Sequence, residues 1–158
     1  MKKFLTFGFI VSLAPLFGGI YGVLHDQLTY TLCPEYYTKF KFFQFGLWQS
    51  ETEAIFPEPR LEVSIVGFLA TWWMGVPIGI VLGGIGFIHR DHKAMLSITL
   101  KAFLITVIVA FITGLTGFLY GYFYLSNAGV SWWLPDDLIH KRSFIAVGSM
   151  HNFSYLGG

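Results

Sequence analysis

Twenty-six consecutive residues, Val63 to Ile88, carry no charged side chain. A bilayer's hydrocarbon core of ~30 Å takes ~20 helical residues, so this run predicts a membrane-spanning helix. Within it Gly75, Gly79 and Gly83 fall at four-residue spacing. Positions i and i+4 share a helix face, so these glycines form a stripe against which a second helix can lie backbone to backbone. Pro77 lies inside the same run, where the missing N–H predicts a kink that opens room toward one end.

Composition extends this to the whole chain. Only 12% of the 158 residues are charged, about half the share of a soluble domain, and 54% are apolar. A mean hydropathy of +0.62 agrees with an integral membrane protein. Once the apolar runs are set aside, no remaining segment could bury a core of its own, which excludes a soluble enzyme domain. The formal charge of +1 leaves no basic stripe for nucleic acid. Cys33 is the single cysteine, so no internal disulfide forms.

The expected fold is an all-α membrane protein: one domain over residues 1–158, a four-helix transmembrane bundle with spans at about 4–24, 63–88, 102–125 and 143–158. The first run follows Lys2-Lys3, as in a signal peptide, but it exceeds a typical apolar signal core and its small-residue candidate Ser12-Leu13-Ala14 lies mid-run before Pro15. Gly18 and Gly22 repeat the four-residue spacing, and Gly117 and Gly121 give the third span a similar stripe. The fourth run is only 16 residues, ~24 Å of helix, which is short of a bilayer. Such a helix either continues past Gly158 or is half-inserted, and the first is the expectation.

Two polar stretches connect these runs, 25–62 and 126–142. In the first, Pro34-Glu35 suits a helix start, and Tyr36, Phe40 and Phe43 would share a side with Lys39 and Gln44 turned away. That predicts a short helix lying in the membrane interface, ended by Gly46. Lys and Arg divide five to five between the two sides, but those at Lys2, Lys3, Arg90, Lys93 and Lys101 crowd into very short segments. Their density favours a cytoplasmic N-terminus, with both larger loops outside.

Several segments together resemble small bacterial polytopic inner-membrane proteins of unassigned function: His25-Asp26-Gln27, Pro34-Glu35-Tyr36, Thr38-Lys39-Phe40-Lys41, Gln44-Phe45, Ala70-Thr71-Trp72-Trp73-Met74-Gly75, and Met150-His151-Asn152 with Ser154-Tyr155-Leu156-Gly157-Gly158. The resemblance implies a cell inner-membrane location and no particular chemistry.

Chemistry is best placed where the topology puts His25 and His151 on one side of the membrane. Asn152 and Ser154 accompany His151, and Asp26, Gln27 and Glu35 are candidates for the same outer pocket. Ionisable groups within a membrane are costly and usually face the bundle interior. His25, Asp26, Glu35 and His151 therefore form a candidate ligand set for zinc, copper or iron, or for haem, though no HxxxH, HExxH or CxxC spacing marks it. The plainer alternative makes His25 a helix-end residue and His151 a partner in one interhelical hydrogen bond. His89 and His92, flanked by Arg90 and Lys93, read as a solvated turn, and Asp136-Asp137 with His140 as a loop helix start. Of Trp72 and Trp73, one is expected to face lipid and the other to pack inward.

No catalytic motif is present. Three functions compete: a non-catalytic subunit that assembles with itself or other membrane subunits through its glycine stripes; a metal- or haem-binding redox protein using His25 and His151; and a small channel or carrier with a polar path near His151.

Overall fold

The computed structural model describes residues 1–50 and 52–158. It is all-helical, with no strand among the described residues, and it is built on α1 (Lys2–Leu32), α2 (Pro59–Ile85), α3 (His92–Tyr120) and α4 (Lys141–Gly157). Three helices are long and apolar enough to cross a membrane: Lys2–Leu32, Pro59–Ile88 and His92–Ala128, the last two including short 3₁₀ and π extensions. This is the architecture of a multi-pass membrane protein.

The helices associate as two antiparallel pairs, α1 with α2 and α3 with α4. The α2 glycine stripe is occupied by α1. A Cβ on Gly75 would collide with the Ala14 carbonyl, one on Gly79 with the Ala14 side chain, and one on Gly83 with the Phe7 ring. The stripe continues through Thr71 to Gly67, which meets the Gly22 backbone, while Gly18 lies against the Thr71 carbonyl. Thr71 Oγ1 lies 2.8 Å from the carbonyl oxygens of both Gly18 and Gly67, within reach of either helix. The second pair works the same way: Gly114, Gly117 and Gly121 face Ser154, Phe153 and Ala146 of α4.

The pairs meet at both ends. Ile10, Ala14, Met95 and Phe103 form one buried cluster near the 89–91 turn. Tyr36, Tyr37, Phe42, Val63, Val66, Phe144 and Val147 belong to a second, at the loop end. Asp91 starts α3 by accepting from the N–H groups of Lys93 (2.9 Å) and Ala94 (3.0 Å), an N-cap that satisfies otherwise orphan donors.

Several details differ from the sequence reading. Helix α1 does not stop at Leu24 but runs to Leu32, so His25 and Asp26 lie within it. Apolarity ends at Leu24 while helicity does not: the Thr29 and Thr31 hydroxyls bond back onto α1 carbonyls, and Pro34 is the first breaker. Helix α2 continues through Pro77. In the segment after Pro34, a π-helical turn at Tyr37–Lys41 precedes Phe42–Gln44. Its i→i+5 bonding shifts the register, so Tyr37, Lys41 and Phe42 are buried while Phe40 and Phe43 are only half-buried. Trp72 and Trp73 both point outward, at 41% and 51% exposure.

Close packing at Gly22 sets a test. Gly22→Leu forces a side chain into the Gly67 carbonyl and should lower stability by about 3 kcal/mol or prevent folding. A methyl group added at Gly8 would meet nothing within 4 Å, so Gly8→Ala should cost nothing and gain up to ~1 kcal/mol. Thermal melts of both variants in detergent check the contrast.

Candidate metal centre

His25 and Asp26 come from α1 and His151 from α4, so the cluster bridges the two helix pairs. All three residues are at most 5% exposed. His25 Nδ1 and His151 Nε2 each lie 3.2 Å from the same oxygen, Asp26 Oδ1. The two rings are nearly perpendicular, with centroids 4.7 Å apart. One ligand atom from each residue lies within 4.8 Å of the other two.

The far side of each imidazole is also held. His151 Nδ1 lies 2.9 Å from the Val147 carbonyl, which can only accept, so this nitrogen carries the proton. His25 Nε2 sits 3.1 Å from Ser154 Oγ. With its proton on Nδ1, neutral His151 turns the Nε2 lone pair toward a carboxylate oxygen. Two lone pairs facing at 3.2 Å need a cation or a proton between them. An outer partner that fixes each imidazole is the usual arrangement around metal-ligating histidines.

Local periodicity explains the convergence. On α1, Gly18, Gly22, His25 and Thr29 follow a three-to-four-residue repeat; on α4, Val147, His151 and Ser154 do the same. Helix α4 can carry a polar cluster because it is enclosed, with Phe144 to His151 all buried. Gly148 faces the Tyr36 ring, which stacks on His151 with centroids 5.1 Å apart. A cavity of about 80 Å³ adjoins the cluster, lined mostly by apolar side chains from all four helices.

The other candidates go elsewhere. Gln27 turns to α2, donating to the Arg60 carbonyl (2.7 Å) and Ser64 Oγ (2.9 Å). Asn152 is exposed. Glu35 does not join the histidines. Its two carboxylate oxygens accept from the N–H groups of Ile139 and His140, each at 2.8 Å, where α4 begins. A carboxylate at a helix N-terminus satisfies orphan donors and meets the positive end of the helix dipole. Lys39 ties the same corner together, 3.0 Å from Glu35 Oε1 and 2.9 Å from Asp137 Oδ2. Asp137 therefore belongs to this clamp. His89 lies at the turn between α2 and α3, and His92 is the first residue of α3.

Sequence reasoning missed Lys41, counting it as an outer-loop cation. It is 6% exposed, with Nζ 5.4 Å from the centre of the Phe45 ring. Burial pushes its pKa down, and the field of Asp26 acts the other way. Only the π turn brings Lys41 inward, and spacing alone carries no signal for that.

No protein-family model, curated protein or solved structure matches this chain.

The Glu35 clamp predicts a pH profile. Burial pushes the Glu35 carboxyl up, but the Ile139 and His140 N–H groups and Lys39 outweigh it and hold it below the ordinary 4.5. The Lys39 hydrogen bond holds Asp137 below 3.8. Burial alone would lower Lys39, yet Asp137 and Glu35 hold it above 10.5. The carboxylates' contribution is therefore complete above pH 4.5 and lost as pH falls through their folded values. That of Lys39 is complete below 10.5 and lost as pH rises through its folded value. Melting temperature should be flat with respect to this clamp between those limits. Glu35→Gln should flatten the acid limb and cost about 1–2 kcal/mol at neutral pH, measured by melts across pH.

Proposed function

We propose that this chain is a membrane metalloprotein in which His25, Asp26 and His151 hold a divalent first-row transition metal. The observation that carries this is the aim of both imidazoles at one Asp26 oxygen, with their far nitrogens placed against Val147 and Ser154. Tetrahedral bonds of ~2.1 Å put neighbouring ligand atoms ~3.4 Å apart, near the 3.2 Å separations found. Two histidines and one carboxylate leave coordination positions open, as in catalytic zinc sites and non-haem iron sites. A metal held by these three residues would supply Lewis-acid or redox chemistry beside the cavity. Haem suits the site poorly, because an 80 Å³ cavity is far too small for a porphyrin and the ligand atoms converge on one point.

In this reading α4 completes a four-helix transmembrane bundle, and the segment after Pro34 lies at the membrane interface. The N-terminus is cytoplasmic, and the metal sits toward the outer face of a bacterial inner membrane, in keeping with the resemblance noted above. Assembly with further subunits draws no support from the glycine stripes, which are filled by the chain's own helices.

Metal analysis of the protein purified in detergent tests the proposal. About one transition-metal ion per chain is expected, lost in Asp26→Asn and His151→Ala, with Ser154→Ala weakening affinity about tenfold. Cobalt(II) loaded in place of the native ion should give the visible absorption of a low-coordinate nitrogen–oxygen site. Protein that neither contains metal nor takes up zinc, iron or cobalt would end the proposal. It would leave a proton as the bridge between His151 and Asp26.

A further inference from the structure

The cavity beside the cluster has a chemical polarity of its own. Its walls include Phe17, Met74, Ile78 and Phe103, while one end carries Tyr21 and Asp26. At that end two buried polar atoms have no hydrogen-bond partner among the described residues: Asp26 Oδ2 and Tyr21 Oη. Asp26 is 2% exposed. Tyr21 Oη lies beside Ser154, and the Asp26 carboxylate beside the Tyr37 hydroxyl, neither pair reaching hydrogen-bond geometry. An unpaired buried polar group costs about 1–3 kcal/mol, so this end calls for a ligand group.

The two atoms specify that group. The free oxygen of an ionised carboxylate only accepts, so it needs a donor. The Tyr21 hydroxyl is free to donate, so it needs an acceptor. A single O–H group does both; a ketone, ester or ether oxygen accepts only and leaves Asp26 Oδ2 unpaired. The rest of the cavity demands an apolar body. An apolar cavity of about 150 Å³ holds a benzene ring, so 80 Å³ holds a short run of methylenes. Phe17 is 37% exposed and joins this lining to the lipid-facing surface, giving a longer chain a way out.

We infer that the cavity binds a lipid-soluble alcohol, with its hydroxyl between Tyr21 and Asp26 Oδ2 and its chain running past Phe17 toward the bilayer. This shares the location of the proposed metal and rests on that reading only for the hydroxyl's placement at the open side of the centre. The pairing with Tyr21 and Asp26 Oδ2 stands without the ion.

The test is photolabelling in lipid nanodiscs with a diazirine analogue of 1-octanol, the adducts being mapped by mass spectrometry. Labelling should saturate at Phe17, Met74 and Phe103. It should be displaced by 1-octanol but not by octane or heptyl methyl ether. Tyr21→Phe should weaken 1-octanol about fivefold, the loss of one hydrogen bond. Val107→Phe, which fills the cavity, should remove the saturable component while melting shows a folded protein. Unsaturable labelling spread over lipid-facing residues such as Leu104 and Ile105 would overturn the inference, as would equal displacement by the ether, which would leave water as the partner of the two oxygens. Chelator-treated protein separates the two proposals. Saturable, ether-insensitive labelling in a chain that binds no metal supports the alcohol site alone. A metal-loaded chain without saturable labelling supports the metal centre alone.

Discussion

The structure depends on one contact, the backbone-to-backbone approach of α1 and α2 along Gly18, Gly22, Gly67 and Gly75. Lipid tails are as apolar as leucine, so burial of side chains gives little reason for helices to associate in a bilayer. Association comes instead from dispersion between closely fitted surfaces and from hydrogen bonds across them. Glycine provides the fit, and Thr71, within reach of the Gly18 carbonyl, provides a polar link. The contact holds α1 firmly along most of its length, and its last glycine, Gly22, lies one turn before His25. His25 and Asp26 are thus supported by a part of the helix that has little freedom to shift.

The second consequence is a seam. Each pair is closed tightly on itself, and the two pairs touch through larger side chains at their ends, around Met95 at one end and Phe144 at the other. Between those clusters the fit is incomplete, which is where the cavity lies. Asp26 projects into this seam, where an unpaired carboxylate would be too costly to bury. His25 and His151, each 3.2 Å from Asp26 Oδ1, offset that cost. The same residues that reconcile the charge with its surroundings join the helix pairs. The clamp of Glu35, Lys39 and Asp137 ties down the start of α4, the helix that brings His151 to the cluster.

Much of this was legible in the chain. The uninterrupted apolar run to Ile88 specifies a spanning helix, and the spacing of Gly75, Gly79 and Gly83 specifies a face bare enough for another backbone. His25 and His151 stood out because ionisable groups are rare in such segments. Other features depended on three-dimensional context. Hydropathy ends α1 at Leu24, since it measures solvent preference and not the hydrogen bonding that carries the helix to Leu32. Glu35 looked like a ligand beside Asp26, but its position after Pro34 delivers it to the start of α4.

The sequence by itself determined the class of the molecule, its apolar helices and the surfaces suited to close approach, because these follow from local composition and helical period. The tertiary structure decided which helix fills the α2 glycine stripe, and that His25, Asp26 and His151 meet while Gln27 and Glu35 do not. It also turned Lys41 inward, through a single π turn that no spacing announces. Such pairings depend on which face of one helix meets which face of another. That choice is made between segments as far apart as Asp26 and His151, where neighbouring residues exert no constraint.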